Sequence, residues 1–234
     1  IPTTIENSQY IQESTLQEIG VKMNLLDNRL YTAIAWYDQD KTYRDSQTGA
    51  LVAVYGDGLE FEMRALVNEN LSILATATHT NTEEVSNGAL AVINGADFAA
   101  QNGLNPEDVY GGRIAGPRSA FVGMNTRMER GGLPDNIVSI YGTWAQELGA
   151  GDVTGSLGLT WVDETYTDIM QTVMLPSYTV VNGSVSYAQG PFTGLLQVNN
   201  LMDEEYYTSA DLFDSVVVKP SAGRTFSLTL TYAF

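Results

Sequence analysis

The last twelve residues, 223–234, constrain the fold of this chain more than any other stretch. Their apolar and small polar residues alternate strictly, as in a β-strand with one apolar face and one hydroxyl-rich face. The polar set is Thr225, Ser227, Thr229, Thr231 and Ala233. A soluble sheet in bulk water would normally place Lys or Glu there. The pattern therefore favours a transmembrane β-strand with lipid on one side and a wet lumen on the other. A soluble sandwich is the alternative for this strand taken alone.

A motif just upstream makes the assignment more specific. Residues 199–207 read Asn-Asn-Leu-Met-Asp-Glu-Glu-Tyr-Tyr, and residues 223–226 read Gly-Arg-Thr-Phe. This order and spacing, with Phe234 as the last residue, resembles the C-terminal signature of TonB-dependent outer-membrane receptors. The resemblance implies an active transporter for a scarce solute such as a siderophore, vitamin or oligosaccharide, in the outer membrane of a Gram-negative bacterium. It also implies that Phe226, Tyr232 and Phe234 belong to an assembly signal read by the barrel-insertion machinery.

Composition agrees with a transmembrane barrel and excludes other classes. The formal charge of −17 argues against nucleic acid as a partner, because its phosphates would be repelled. The chain has no cysteine, so neither a disulfide framework nor a thiolate metal site is available. No apolar run reaches the roughly 18 residues of a membrane helix. The mean hydropathy of −0.10 is compatible with membrane strands, since half of each such strand is polar.

Alternation predicts nine antiparallel strands along the chain. They cover residues 15–25, 29–40, 51–67, 71–80, 137–146, 153–163, 177–188, 192–201 and 223–234. Short connections, at Asp27, Asn68, Gly149 and Gly190, alternate with long ones, at Lys41, Asn81, Glu164 and Asp203. Outer-membrane barrels have short periplasmic turns and long extracellular loops. We therefore expect residues 81–134 to be a long extracellular loop with little strand structure, and the C-terminus to lie in the periplasm.

Nine strands would leave an unpaired edge in lipid, where unsatisfied backbone groups are costly. We read residues 1–14 as a loop, with a tenth strand as the alternative. Residues 1–4 show no secretory signal, so we expect a longer protein. The predicted fold is all-β: residues 1–234 form the C-terminal part of a larger antiparallel transmembrane barrel, of about 22 strands. The resemblance implies a plug domain outside these residues and energy from the TonB–ExbB–ExbD complex. The remaining strands would come from upstream sequence or a separate chain.

Two groups of residues are candidates for contact with a solute. Glu60, Glu62 and Arg64 share the polar face of the third predicted strand; they line a solute path, or they form a salt-bridged patch that holds the plug or the wall. A second group lies in the long loop and comprises Asp108, Tyr110, Arg113 and Arg118. Aromatic and arginine side chains on loops make good ligand contacts. The alternative is that they only help to fold the loop.

No arrangement of residues indicates catalysis. His79 is the only histidine, so a His-dependent triad or metal site would have to include it. We expect a protein that is not an enzyme and has no organic cofactor. A passive porin or structural barrel is the main alternative to an active transporter, and an outer-membrane enzyme, which would need a catalytic cluster near the rim, is a less favoured one. The acidic outer loops could hold Ca²⁺ or Mg²⁺ beside the anionic lipopolysaccharide, through Asp203, Glu204, Asp211 and Asp214. The alternative is that these carboxylates are solvated surface.

Overall fold

The protein is seen here in a computed structural model, which describes residues 13–44, 51–91, 103, 120–167, 171, 173–209 and 218–234. These residues form strands and turns only. The strands are β1 (Glu13–Leu25), β2 (Leu30–Arg44), β3 (Leu51–Leu66), β4 (Leu71–Ala91), β5 (Ala120–Glu129), β6 (Asn136–Leu148), β7 (Gly151–Val162), β8 (Thr165–Tyr166), β9 (Met174–Leu175), β10 (Tyr178–Gln189), β11 (Phe192–Asn199), β12 (Tyr207–Ser209), β13 (Val218–Pro220) and β14 (Thr225–Tyr232). Among them no helix is long and apolar enough to cross a membrane.

One antiparallel sheet contains most of the described chain. Its strands follow the order β1-β2-β3-β4-β6-β7-β10-β11-β14, and β5 pairs with β4 beside this path. The nine strands of the path are the nine that alternation predicts, so that prediction is confirmed. Two small ladders, β8 with β9 and β12 with β13, lie outside the large sheet. Each strand of the path pairs with the next one along it, which is the up-and-down arrangement of a barrel wall.

The sheet has an apolar face and a polar face. On the apolar face, Ile34 of β2 lies opposite Phe61 of β3, which lies opposite Ala77 of β4. One residue along each strand, Ala35 lies opposite Glu60 on the polar face. Side chains in a strand point alternately to the two faces, so this register carries the two sets of residues around the whole sheet.

The apolar face is not covered by any part of the described chain. Leu228 and Leu230 of β14 are 68% and 77% exposed. Among the described residues, the buried hydrophobic side chains are only Val52 and Leu175. A soluble sandwich would bury such a face in a core, so the soluble alternative is wrong. The sheet is a piece of a transmembrane wall whose apolar face needs lipid.

The short turns share one end of the sheet and the long connections share the other. The turn between β1 and β2 places Leu26, Asp27 and Asn28 at φ of 53°, 54° and 65°. At the turn between β3 and β4, the Asn68 side chain accepts hydrogen bonds from the backbone of Asn70 at 2.9 Å and of Leu71 at 2.8 Å. Consecutive strands of the path run in opposite directions, and their bounds put the short turns at one end and the long connections at the other, so the predicted segregation is confirmed. Which end faces the outside of the cell stays a prediction.

The predicted long loop contains more strand structure than expected. β4 continues to Ala91, and β5 pairs with its far half, with register irregularities between Glu84 and Ala89. The expectation of little strand structure over residues 81–134 is therefore wrong for residues 81–91 and 120–129. Alternation marks a strand only where one face meets an apolar phase. The far half of β4 is rich in Thr, Glu and Asn on both faces, so it carries no such signal.

Tyrosines on the polar face lie across glycines of neighbouring strands. Tyr37 of β2 faces Gly58 of β3 in the register, and its hydroxyl is 2.8 Å from the hydroxyl of Thr80 on β4. Tyr141 of β6 lies in the same way over Gly158 of β7: a Cβ at that glycine would be 2.8 Å from the tyrosine ring. A bare glycine lets a ring lie flat on the sheet. The rings thus brace adjacent strands without filling the lumen.

The sheet is open at both ends. β1 pairs with β2 only, and β14 with β11 only, within the part of the chain that the structure describes. Pairing of the first strand with the last would have closed a small barrel and contradicted the prediction that the chain is part of a larger one. Instead the described strands form one continuous arc. That the free edge of β1 pairs with a strand from outside residues 1–234 stays a prediction.

Candidate ligand path and terminal clasp

The three charged residues predicted on β3 lie on the polar face, near the end with the short turns. Arg64 is two residues from the end of β3 at Leu66. Its Nε donates a 2.5 Å hydrogen bond to Glu62, and its guanidinium lies 5.9 Å from the centre of the Tyr31 ring. The Arg64 side chain is 70% exposed, so the ion pair contributes little to stability. Glu60 is exposed on the same face. Their contact with a solute or a plug stays a prediction.

Hydroxyl pairs tie adjacent strands together along the polar face. Ser139 of β6 and Thr160 of β7 have their hydroxyl oxygens 3.0 Å apart, and those of Ser156 and Ser184 are 2.6 Å apart. These small side chains satisfy one another's hydrogen-bonding groups, and they project only a short distance from the sheet. Such a surface suits a wet lumen or a polar domain packed within a wide barrel, because a narrow barrel must fill its interior with larger side chains.

The single histidine is part of a structural hydrogen-bond chain. The Nδ1 of His79 lies 2.9 Å from Oδ1 of Asn136, whose Nδ2 donates a 2.6 Å hydrogen bond to Asp163. These residues continue the apolar face beyond its hydrophobic rows, at the end with the long connections. No nucleophile is hydrogen-bonded to the ring in this chain of contacts. Sequence reasoning missed Asn136 as the partner of His79, because the two residues are 57 positions apart along the chain.

The four candidate residues of the long loop lie outside the described residues: Asp108, Tyr110, Arg113 and Arg118. The described wall next to that loop is held by ion pairs between β4 and the end of β5. Arg127 lies 3.3 Å from Glu83 and 3.8 Å from the centre of the Tyr55 ring, and Arg130 lies 3.7 Å from Glu84. The strands that lead into the loop are therefore braced on their way to it.

The Asn-Asn-Leu-Met-Asp motif builds a tight turn at the end of β11. Asn200 is 4% exposed, and its side chain both donates to the backbone oxygen of Glu204 at 2.9 Å and accepts from the backbone nitrogen of Glu204 at 2.8 Å. Its own backbone nitrogen donates to the side chain of Asn182 on β10 at 2.9 Å. Asn200 and Asp203 have φ of 53° and 58°, in the left-handed region that asparagine and aspartate tolerate best among non-glycine residues.

This turn presents Asp203 to the start of the last strand. The Asp203 carboxylate accepts a 2.7 Å hydrogen bond from the backbone nitrogen of Arg224. The guanidinium of Arg224 donates to the backbone oxygen of Leu201 at 3.2 Å and lies 3.9 Å from the same carboxylate. We call Asn182, Asn200, Asp203, Glu204 and Arg224 the terminal clasp. Asp203 and Arg224 are 21 residues apart, so periodicity gave no sign of their pairing.

The acidic residues predicted as metal ligands are only partly described. The Asp203 carboxylate accepts the hydrogen bond from Arg224 in the terminal clasp, and Glu204 takes part in the clasp through its backbone. Asp211 and Asp214 lie outside the described residues. Within the described ranges no group of three His, Asp or Glu side chains could hold a metal ion. Binding of Ca²⁺ or Mg²⁺ at these loops therefore stays a prediction.

The aromatic residues predicted as the assembly signal lie on the apolar side of β14 and just beyond it. The Tyr232 ring is 4.7 Å from the ring of Phe192 and 5.2 Å from the ring of Phe234. At the other end of the strand, the guanidinium of Arg224 lies 6.0 Å from the Phe226 ring. The structure places these rings where lipid or another protein could meet them, and their role in assembly stays a prediction.

Comparison with known proteins identifies the family to which this sheet belongs. Residues 11–201 match the family model for the β-barrel of TonB-dependent receptor-like proteins. A curated relative, a probable TonB-dependent siderophore receptor called PiuA from Acinetobacter baumannii, is 23% identical over 97% of this chain and 28% of its own length. The chain thus spans less than a third of that relative.

Solved structures show the same fold. The crystal structure of PiuA superimposes with a TM-score of 0.68 at 20% identity, over 98% of this chain and 30% of that one. FyuA, the ferric yersiniabactin uptake receptor of Yersinia pestis, gives a TM-score of 0.67 at 14% identity, over 95% of this chain and 30% of that one. The closed form of Fiu, a ferric-catecholate import receptor of Escherichia coli K12, gives 0.61 at 18%, over 95% and 28%.

These comparisons agree with the architecture derived from the residues. The matched family is a barrel of receptors, in accord with the expectation that the chain is not an enzyme. The short span relative to the solved receptors agrees with an arc that does not close on itself. This chain belongs to the TonB-dependent receptor-like β-barrel family.

Proposed function

We propose that this chain is the C-terminal part of an outer-membrane receptor that takes up a ferric siderophore, driven by TonB. The observation that carries the proposal is the open, antiparallel arc with an uncovered apolar face and a hydroxyl-rich polar face, in a chain of this family. Such an arc is stable only as part of a closed barrel in lipid. Its shallow polar face leaves room for a plug, and a plugged barrel must be opened by an energy source.

The siderophore class comes from the relatives. PiuA is named as a siderophore receptor, Fiu as a ferric-catecholate import receptor and FyuA as a ferric yersiniabactin uptake receptor. These names refer to different iron chelates, so we propose ferric siderophores as a class and name no individual compound. The partners of the whole receptor would be its plug, the TonB–ExbB–ExbD complex, the barrel-insertion machinery and the lipopolysaccharide around it.

Energy coupling separates this proposal from a passive porin. The test expresses the full-length receptor in Gram-negative cells that lack their own siderophore receptors and measures radio-iron uptake from a panel of ferric catecholates, hydroxamates and mixed chelates. We expect uptake of at least one chelate that stops when TonB is deleted. Equal uptake with and without TonB would support the porin alternative. If no ferric chelate is taken up and a vitamin or oligosaccharide enters in a TonB-dependent way instead, the substrate class is not ferric siderophores but the class of that solute.

The long loop is where we propose ligand contact, through Asp108, Tyr110, Arg113 and Arg118. Replacing Arg113 or Arg118 by alanine should weaken ligand binding about tenfold or more, because a hydrogen bond to a charged group is lost. Binding of the transported chelate to purified receptor measures this. Lys219→Ala, which removes a cation from β13 in another outer segment, is the control. Full affinity in both arginine variants would assign these residues to loop folding alone.

Topology gives a second prediction. Protease added to intact cells should cut between residues 92 and 119, and the turns at Gly149 and Gly190 should be cut only after the outer membrane is opened. Long connections face outward and short turns face the periplasm in this class of barrel. Mass spectrometry of the fragments reports the sites. Cleavage of intact cells only at Gly149 or Gly190 would reverse the orientation.

A further inference from the structure

The alternation of residues in the last strand does not specify the register of that strand. In β14 every second residue is apolar and the residues between them carry hydroxyl groups. A slip of one residue would turn the apolar face inward, but a slip of two residues keeps both faces correct. Its neighbour β11 has Leu196 and Val198 on the same face as Leu228 and Phe226, so after a slip of two residues these aliphatic side chains would still meet apolar residues of β14. The alternation of β14 therefore does not by itself select the pairing of Thr225 with Asn199.

The turn after β11 is held firmly enough to serve as a reference point. Buried Asn200 closes it through two hydrogen bonds to the backbone of Glu204, and Asn182 ties it to β10. The backbone nitrogen of Leu201 also donates to the oxygen of Val181 on β10 at 2.7 Å. The position of the Asp203 carboxylate is thus set by the wall itself, before the last strand is considered.

Arg224 binds to this turn through both its backbone and its side chain. Its backbone nitrogen donates to Asp203, and its guanidinium donates to the oxygen of Leu201. A Cβ on the preceding Gly223 would be 3.1 Å from the Asp203 carboxylate, so glycine allows this close approach. The Arg224 and Asp203 side chains are 42% and 54% exposed, so attraction between their charges is weak, and the directional hydrogen bonds carry the selection.

We propose that the terminal clasp sets the register of β14 against β11, and thereby the register that β14 offers to the strand on its free edge. Slipped by two residues, β14 would bring Ala222 or Phe226 to Asp203. Neither residue has a guanidinium to reach Leu201, and the residue before Phe226 is Thr225, whose Cβ would crowd the carboxylate. The clasp penalises both slipped states, whereas the alternation of apolar and hydroxyl residues along the strand does not.

A second anchor lies at the other end of the strand and is the rival explanation. There Tyr232 packs against Phe192, and the backbone nitrogen of Ala233 donates to the oxygen of Pro191 at 2.9 Å. If this aromatic contact alone fixed the register, changes in the clasp would leave the pairing intact. The test must therefore compare the two anchors directly.

Engineered disulfides measure the register, since residues 1–234 contain no cysteine. Gln197 lies directly opposite Ser227 on the polar face, so cysteines at these positions report the native register. Cysteines at 197 and 229, or at 197 and 225, report slips of two residues. The experiment uses the full-length receptor in outer membranes, with a mild oxidant, and compares cross-link yields with the intact clasp and with Asp203→Ala plus Arg224→Ala. We expect the ratio of native to slipped cross-links to fall about tenfold or more in the alanine pair.

Matched variants keep the result decisive. Lys219→Ala, a cation outside the clasp, should leave the ratio unchanged. If the alanine pair assembles too poorly to cross-link, Arg224→Lys replaces it, because lysine keeps the charge and the backbone donor but loses the planar guanidinium; the ratio should again fall. An unchanged ratio in the assembled clasp variants, together with a lower ratio in Phe192→Ala, would overturn the proposal in favour of the aromatic anchor.

Discussion

Replacing Gly58 by alanine destabilises the assembled barrel, whereas the same change at Gly56 leaves its stability unchanged or slightly raised. Both glycines lie on the polar face of β3, two residues apart. A Cβ at Gly58 would overlap the backbone oxygen of His79 and lie 2.7 Å from the Tyr37 hydroxyl. A Cβ at Gly56 would find its nearest neighbour, the backbone oxygen of Asn81, at 4.0 Å. One position has no room for a methyl group and the other has ample room.

The expected change in the free energy of unfolding has opposite signs at Gly58 and Gly56. Forcing extra atoms into a filled site typically costs about 1–3 kcal/mol. Replacing glycine by alanine where the backbone tolerates it gains about 0.4–1 kcal/mol through the entropy of the unfolded chain. At Gly58 the first effect dominates, and the ring of Tyr37 must also move away from Thr80, which loses their hydrogen bond. At Gly56 only the second effect operates.

In gel electrophoresis a folded barrel and its heat-unfolded chain migrate differently. The temperature at which the purified barrel changes to the mobility of the unfolded chain measures the effect of both substitutions on stability. Gly58→Ala should lower that temperature, and Gly56→Ala should not. Tyr37→Phe, which removes the hydroxyl but keeps the ring, should lower it less than Gly58→Ala. Equal stability of the Gly58 and Gly56 alanine variants would show that β3 and its neighbours adjust freely at this row.

Deleting Phe234 removes most of the receptor from the outer membrane and leaves the uptake per assembled molecule unchanged. The ring is fully exposed in the structure and its neighbour is Tyr232, so little packing within the described chain is lost with it. A large effect of such a residue must come from a partner outside the chain. The barrel-insertion machinery, which the family resemblance implies as a partner, is the partner we expect.

Quantitative detection of the receptor in outer-membrane fractions, set beside uptake per receptor, separates assembly from transport. Phe234→Tyr, which keeps an aromatic ring at the terminus, is the control and should restore assembly. Normal amounts of receptor with lost uptake, after deletion of Phe234, would assign the residue to transport and contradict the prediction.

The extent of the wall strands could be read from the sequence wherever lipid imposes alternation. β14 and the first half of β4 alternate because one side meets lipid and the other meets water, and each residue there reports its own environment. The far half of β4 was missed for the same reason. Where both faces are wet, Thr, Glu and Asn satisfy either side, and no period of two is required.

The contacts that complete the wall were decided by the tertiary structure. His79 meets Asn136 across 57 residues, and Asp203 meets Arg224 across 21. The approach of Tyr37 to Gly58 depends on which residue of β3 stands opposite it. Pattern along one strand defines the two faces but leaves shifts of two residues equivalent. The sequence by itself therefore determined the membrane-spanning class and the two faces of this wall, while the pairing of the strands decided its register, its glycine contacts and its terminal clasp, because these depend on distances between residues remote in the chain.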